Sequence, residues 1–167
     1  MSVGKHFEED FQKSFTEEHE ARILRLYDTT NGYAGVANPC DFVYYAYPRI
    51  GFFELKSTQG NRLSFNNITE RQWQGLDVRS KLKGCIAAIL IQYRDQREGF
   101  LVPIQVLEYI KYRGEKSIHI NDARKYGMPL NLIYKRTRCY LNPQEFMTNF
   151  LKYEIPNIVE ETHNVET

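Results

Sequence analysis

Asp41, Glu54 and Lys56 have the residue types needed for metal-assisted phosphodiester hydrolysis. The sequence around them predicts a β-hairpin, with strands over residues 42–47 and 50–55 and a turn at Pro48-Arg49. Because side chains alternate along a strand, Glu54 and Lys56 project to the same side. The hairpin would fold Asp41 back beside them. Two carboxylates and an ammonium group at one point on a sheet suit a hard divalent cation with a positive charge next to it.

The same three residues also have an ordinary explanation. Acids are common at strand ends, and a Glu-x-Lys triplet occurs often by chance. Their setting favours function, because Glu54 and Lys56 follow the apolar run of residues 50–53. A charged pair that ends a buried strand is costly to desolvate unless it has a partner or a task.

A first helix is predicted from residue 4 to about residue 18, where Phe7, Phe11 and Phe15 form an apolar stripe. Glu8 lies on the edge of that stripe. From its position alone, an exposed helix acid is the favoured interpretation of Glu8.

A second helix is predicted over residues 69–83, opened by the capping-box pair Thr69 and Gln72. Gln72 shares a face with Leu76 through i,i+4 spacing, which would direct it toward Glu54 and Lys56. A purely reciprocal cap also explains Gln72, and the two roles compete for one side chain.

The remaining pattern predicts an α/β protein with a mixed central β-sheet flanked by helices and the hairpin in its middle. Further strands are predicted at 22–27, 84–93 and 99–102, with one more within 128–141. Further helices are predicted at 103–113, 121–126 and 144–153. Residues 28–39 and 57–67 are predicted loops, the second lying over the site.

Length and composition fit one domain over residues 1–155, followed by an acidic, frayed tail over residues 156–167. The 42% hydrophobic content excludes a disordered chain. Three isolated cysteines argue against a disulfide framework, and four histidines without ligand spacing argue against structural zinc. The sequence shows neither a signal peptide nor an apolar run long enough for a membrane, so we expect a cytoplasmic protein with no membrane partner.

Charge is unevenly distributed along the chain. The net charge is only +1, but residues from Glu145 onward carry −4, which leaves the first 144 residues at +5. Bases concentrate between Lys56 and Arg138, so one face could bind a phosphate backbone. An ordinary solvated surface is the alternative.

Taken together, the chain resembles the PD-(D/E)xK nuclease superfamily, and within it the RecU-type Holliday-junction resolvases of Gram-positive bacteria and their phages. The resemblance extends from Gly4 to about Leu130. It is carried by five segments in the family's order: Gly4-Lys-His-Phe-Glu8, Cys40-Asp-Phe42, Phe53-Glu-Leu-Lys-Ser57, residues 63–72 and Gly114-Glu-Lys-Ser-Ile118. It implies a restriction-endonuclease-like fold.

The resemblance also implies a metal site. Asp41 and Glu54 would ligate Mg²⁺, with Mn²⁺ as a possible substitute, together with the main-chain carbonyl of Leu55. Lys56 would position or activate the attacking water. Glu8 would be a further acid at the metal site, directly or through water.

Gln72 would orient that site or bind the scissile phosphate. The implied activity is paired symmetric nicking of a four-way DNA junction during recombination, in a bacterial cell or a phage-infected host. Two symmetric cuts imply a C2 homodimer.

Three features depart from the family pattern. Cys40 stands where a proline usually precedes the aspartate. The connection over residues 28–39 is short where RecU proteins carry a long stalk that enters the junction, and the family's basic N-terminal extension is not found in the sequence. The chain would then be a reduced, compact phage-type resolvase, or its DNA selectivity differs. Two alternatives therefore stay open: a restriction-like or repair endonuclease for another DNA substrate, and a non-catalytic DNA-binding protein that assists recombination.

Overall fold

The structure, a computed structural model, describes residues 3–27 and 38–158. Its helices are α1 (Val3–Ser14), α2 (Glu70–Ser80), α3 (Ile104–Tyr112), α4 (Ile120–Tyr126) and α5 (Pro143–Lys152), with short 3₁₀ helices at Glu17–Arg22 and Phe65–Asn67. Its strands are β1 (Ile23–Arg25), β2 (Phe42–Ala46), β3 (Arg49–Thr58), β4 (Arg62–Ser64), β5 (Cys85–Tyr93), β6 (Glu98–Pro103), β7 (Ser117–His119), β8 (Met128–Pro129), β9 (Ile133–Lys135) and β10 (Arg138–Tyr140).

A six-stranded mixed sheet in the order β1-β2-β3-β5-β6-β8 forms the centre. Only its β3–β5 pair is parallel. After its first residue, β5 is buried throughout, as its continuous apolar sequence predicts for a strand covered on both faces. The predicted α/β class with a mixed sheet between helices is confirmed.

Two apolar layers cover the sheet. On one face, the predicted stripe of Phe7, Phe11 and Phe15 is buried and packs with α5 against β2 and β3. On the other face, α2, α3 and α4 pack against β5 and β6. Val106, Leu107 and Ile110 of α3 are fully buried there, which agrees with their predicted inward orientation. The two layers hold the β2–β3 hairpin in a fixed position between them.

The hairpin differs from its predicted limits. Its turn is at Tyr47-Pro48, joined by a cis peptide bond, rather than at Pro48-Arg49. β3 runs on to Thr58, three residues beyond the predicted end, because the parallel partner β5 continues to pair with it as far as Thr58↔Tyr93. Glu54 and Lys56 therefore lie inside a strand rather than at its end.

Three other predictions were wrong in detail. α1 ends at Ser14, where the Phe15 N–H donates to the Gln12 carbonyl at 3.1 Å in a tightened last turn. A separate 3₁₀ helix follows. The predicted loop over residues 57–67 contains β4, which pairs with β7. Residues 128–141 form three short strands rather than one.

Parts of the prediction lie outside the described residues. These are most of the loop over residues 28–39, including its departure from the family pattern, and most of the acidic tail. Within the ranges 3–27 and 38–158, no helix is both long and apolar enough to cross a membrane.

An ion pair between a buried carboxylate and a partly exposed arginine joins α1 to β10. Asp10 is 2% exposed, and its carboxylate accepts from Arg138 Nε at 2.5 Å and from the Cys139 N–H at 2.9 Å. Glu9 adds a longer contact to Arg138 at 3.2 Å. Both oxygens of Asp10 therefore have hydrogen-bond donors, which offsets the cost of burying the carboxylate.

Candidate active site

Asp41 is fixed by the main chain of β3. Its N–H donates to the Phe53 carbonyl at 3.0 Å, and its Oδ2 accepts from the Leu55 N–H at 2.7 Å. β2 begins only at Phe42, so the Asp41 carboxylate takes the place of a strand partner for Leu55. The side chain thus lies at the uncovered edge of β3, next to Glu54.

Burial, followed by the negative charge of Glu54, raises the pKa of Asp41 to about 7. The Leu55 N–H and Lys56 act in the opposite direction, and Glu8 raises the pKa further. Two carboxylates in a poorly hydrated place resist being ionised together. A cation bound between them would remove that conflict.

Glu54 and Lys56 form an ion pair on one face of β3. Glu54 is 4% exposed, and its Oε1 accepts from Lys56 Nζ at 2.9 Å. The Lys56 side chain is 20% exposed, so its ammonium group can reach a substrate. The predicted proximity of Asp41, Glu54 and Lys56 agrees with this geometry. The ion pair with Lys56 offsets the free-energy cost of burying the Glu54 carboxylate.

Gln72 joins the cluster from the first turn of α2. Its amide oxygen accepts from the Thr69 N–H at 2.9 Å and completes the capping box, while its Nε2 donates to Glu54 Oε1. The amide oxygen of Gln72 thus caps the helix while its amide nitrogen contacts Glu54, so the two roles considered for Gln72 do not compete. The cap fixes the side chain that holds Glu54.

Glu8 lies on α1, at the other face of the sheet. Its Oε2 accepts from Arg25 Nη2 at 2.6 Å, and Arg25 Nη1 donates to Gln12 Oε1 at 3.2 Å. Arg25 was not predicted, since nothing in its local sequence links the end of β1 to α1. Glu8 acts on Asp41 through its charge. A direct or water-mediated role for Glu8 at a metal stays a prediction.

Cys40 stays neutral beside the carboxylates. It is buried, its Sγ donates to the Phe42 carbonyl at 3.2 Å, and burial raises the pKa of its thiol to about 12. The thiolate form that would bind a metal is therefore disfavoured at neutral pH.

Comparison with known proteins places this site in a family. The model of the family described as recombination protein U, RecU, matches residues 10–144. The chain belongs to the RecU family. None of the curated proteins matches the sequence. Among solved structures, a match is Hjc of Archaeoglobus fulgidus, a Holliday junction resolvase from an archaeal hyperthermophile. It has 21% sequence identity over 64% of this chain and 80% of that chain, with a TM-score of 0.46.

RecU membership confirms the predicted family and the role as a Holliday-junction resolvase in recombination. It also makes the protein a nuclease, that is, a hydrolase that acts on junction DNA. The functional assignment of individual residues depends on the site's own geometry.

The oxygen atoms at the edge of β3 have the chemistry of a site for a hard cation. Within the described part of the chain, no group of three or more His, Cys, Asp or Glu side chains could hold a metal ion. A site here would need main-chain or water ligands besides Asp41 and Glu54. The Leu55 carbonyl is suitable, because the N–H and C=O of one strand residue point to the same edge and the Leu55 N–H points at Asp41.

We predict that Gln72→Ala lowers the cleavage rate about tenfold or more, because it frees Glu54 from its amide donor. The control is Thr69→Ala, which removes half of the capping box and leaves the Gln72–Glu54 contact in place. Single-turnover cleavage with saturating enzyme measures both variants. An equal loss in the two would show that Gln72 acts only through the start of α2.

Proposed function

We propose that this RecU-family protein is a Mg²⁺-dependent endonuclease that resolves four-way DNA junctions by paired symmetric nicks. One observation carries the proposal: Lys56 and Gln72 both contact Glu54 Oε1, and the Asp41 carboxylate accepts from the N–H of the adjacent Leu55 and interacts with Glu54 through its charge. Such a constellation of two acids, a lysine and a polar donor suits phosphodiester hydrolysis.

Asp41, Glu54 and the Leu55 carbonyl would hold the cation. When bound, Mg²⁺ supplies a water of lowered pKa and neutralises charge that develops on the phosphate. The shared contact of Lys56 and Gln72 with Glu54 Oε1 keeps that carboxylate in one orientation. Lys56 then places a fixed positive charge where the attacked phosphate gains negative charge.

The arrangement of two cuts implies two active sites. Paired nicks at symmetric positions require two copies of the chain related by a two-fold axis, so we propose a C2 homodimer. Mn²⁺ is expected to substitute for Mg²⁺, since both prefer oxygen ligands.

The substrate is tested with a four-way junction and a linear duplex of the same sequence, each incubated with the protein and Mg²⁺. We expect paired nicks in the junction and little cleavage of the duplex, with no cleavage when a chelator removes the metal. Equal cleavage of both DNAs would favour a restriction-like or repair endonuclease. Binding without cleavage would favour a recombination-accessory protein.

A further inference from the structure

A basic cavity of about 320 Å³ lies on the face of the sheet opposite Glu54. It is formed where α1, the β5–β6 turn and the β9–β10 turn meet. The residues that matter for its chemistry are His6, Asp10, Gln92, Arg94, Arg97 and Arg136.

Three arginines from two turns give the cavity its charge. Within the described ranges, the side chains of Arg94 and Arg136 have no ion pair or hydrogen bond, and Arg97 lies over the Tyr134 ring at 4.6 Å. The acid in the lining is Asp10, whose two oxygens already accept from Arg138 and Cys139. The cavity therefore carries an excess of positive charge that no group within residues 3–27 and 38–158 neutralises.

Two of these arginines occupy backbone positions that side chains seldom adopt. Arg97 has φ 55° and Arg136 has φ 57°, both in the left-handed region. Glycine or asparagine would fit these turns more easily. The use of arginine at both positions indicates that the guanidinium groups have a task there, as strained backbone at binding sites often does.

The floor of the cavity is coupled to the catalytic strand. Gln92 is buried, and its Oε1 accepts from Ser57 Oγ at 2.8 Å. Ser57 directly follows Lys56, and the alternation of side chains sends these two residues to opposite faces of β3. The cavity and Lys56 thus flank one edge of the sheet, at the carboxyl ends of β3 and β5.

We infer that this cavity binds a backbone phosphate of the DNA, a few nucleotides from the phosphate that is cut. Guanidinium groups match phosphate oxygens in geometry and charge. Its closeness to the scissile phosphate rests on the proposed nuclease function, whereas the phosphate binding itself does not. Free inorganic phosphate has the same chemistry, so the test separates it from DNA.

The variants are Arg136→Asn and Arg94→Gln. Asparagine tolerates the left-handed backbone of residue 136 and removes the guanidinium group with its charge. The control is Lys83→Asn, which makes the same charge change just before β5, about 25–30 Å away along that strand at about 3.3 Å per residue. Binding of a four-way junction is measured over a range of salt concentrations with a chelator present, so that no DNA is cut.

We expect each arginine variant to weaken binding about threefold to tenfold and to reduce the slope of log K against log[salt] by about 0.9 per lost phosphate contact. Lys83→Asn is expected to match the unmodified protein. Wild-type affinity and slope in both arginine variants would overturn the inference. A second result would also overturn it: inorganic phosphate, at matched ionic strength, raises the Tm of the unmodified protein but not that of Arg136→Asn, while DNA affinity is the same in both.

The two proposals fail separately. If the protein cuts no DNA but the arginine variants still bind DNA more weakly, the nuclease proposal is wrong and the phosphate-binding role of the cavity is supported. If the protein cuts junctions and the arginine variants bind like the wild type, the pocket falls and the nuclease proposal stands.

Discussion

Asp41→Asn is expected to lower junction cleavage by about 10³-fold or more while junction binding stays equal or becomes tighter. The loss follows from removing one of the two proposed acidic ligands, since a bound metal would contribute several kcal/mol to stabilising the transition state. Asparagine keeps an oxygen for the Leu55 N–H, so the local backbone should not change. Binding is preserved because the variant removes a negative charge that repels phosphate when no metal is bound.

Cleavage is followed under single-turnover conditions with saturating enzyme, and binding is measured with a chelator present. The control is Asp77→Asn, the same chemical change on α2, where the carboxylate pairs with Lys81 at 2.7 Å. The control should cut at the wild-type rate. Wild-type turnover by Asp41→Asn would refute its role at the metal.

Thermal unfolding tests the metal separately from cleavage. Mg²⁺ or Mn²⁺ should raise the Tm of the unmodified protein, because a ligand that binds only the folded state stabilises it. Asp41→Asn should lose most of that response. Without metal, Asp41→Asn should be more stable than the unmodified protein at pH 8. The pKa of Asp41 in the folded state lies above its ordinary value, so ionisation of Asp41 at pH 8 opposes folding, and asparagine does not ionise.

The proximity of Asp41, Glu54, Lys56 and Gln72 was predictable because its signals are local. Strand alternation relates Glu54 to Lys56, a hairpin relates both to Asp41, and the capping pattern positions Gln72. What the sequence could not show was that one amide group serves both the helix cap and Glu54. That depends on how closely α2 packs against β3, which no spacing along the chain reveals.

Features that depend on distant partners were missed. Asp10 and Arg138 are 128 residues apart, and charged residues carry no periodic signal that would pair a helix with a hairpin. The end of β3 was missed for a related reason: Ser57 and Thr58 resemble loop residues, but β5 continues to pair with them. The strands of residues 128–141 are two or three residues long, too short for alternation to be recognised.

Arg138→Met is expected to lower the Tm by about 10 °C, because it leaves the Asp10 carboxylate buried without its charged partner. Methionine keeps much of the arginine's apolar stem, so lost packing contributes little. Calorimetry or circular dichroism at neutral pH measures the change.

Two further variants isolate the cause. Arg124→Met removes an exposed ion pair with Glu98, 2.6 Å long, and should change the Tm by no more than about 2 °C. The double variant Asp10→Asn/Arg138→Met removes both charges, while the asparagine oxygen can still accept from the Cys139 N–H. It should recover most of the lost Tm, since the cost lies in the unpaired charge rather than in the absence of the pair. If Arg138→Met is no more destabilising than Arg124→Met, the Asp10 carboxylate must find water or another donor in place of Arg138.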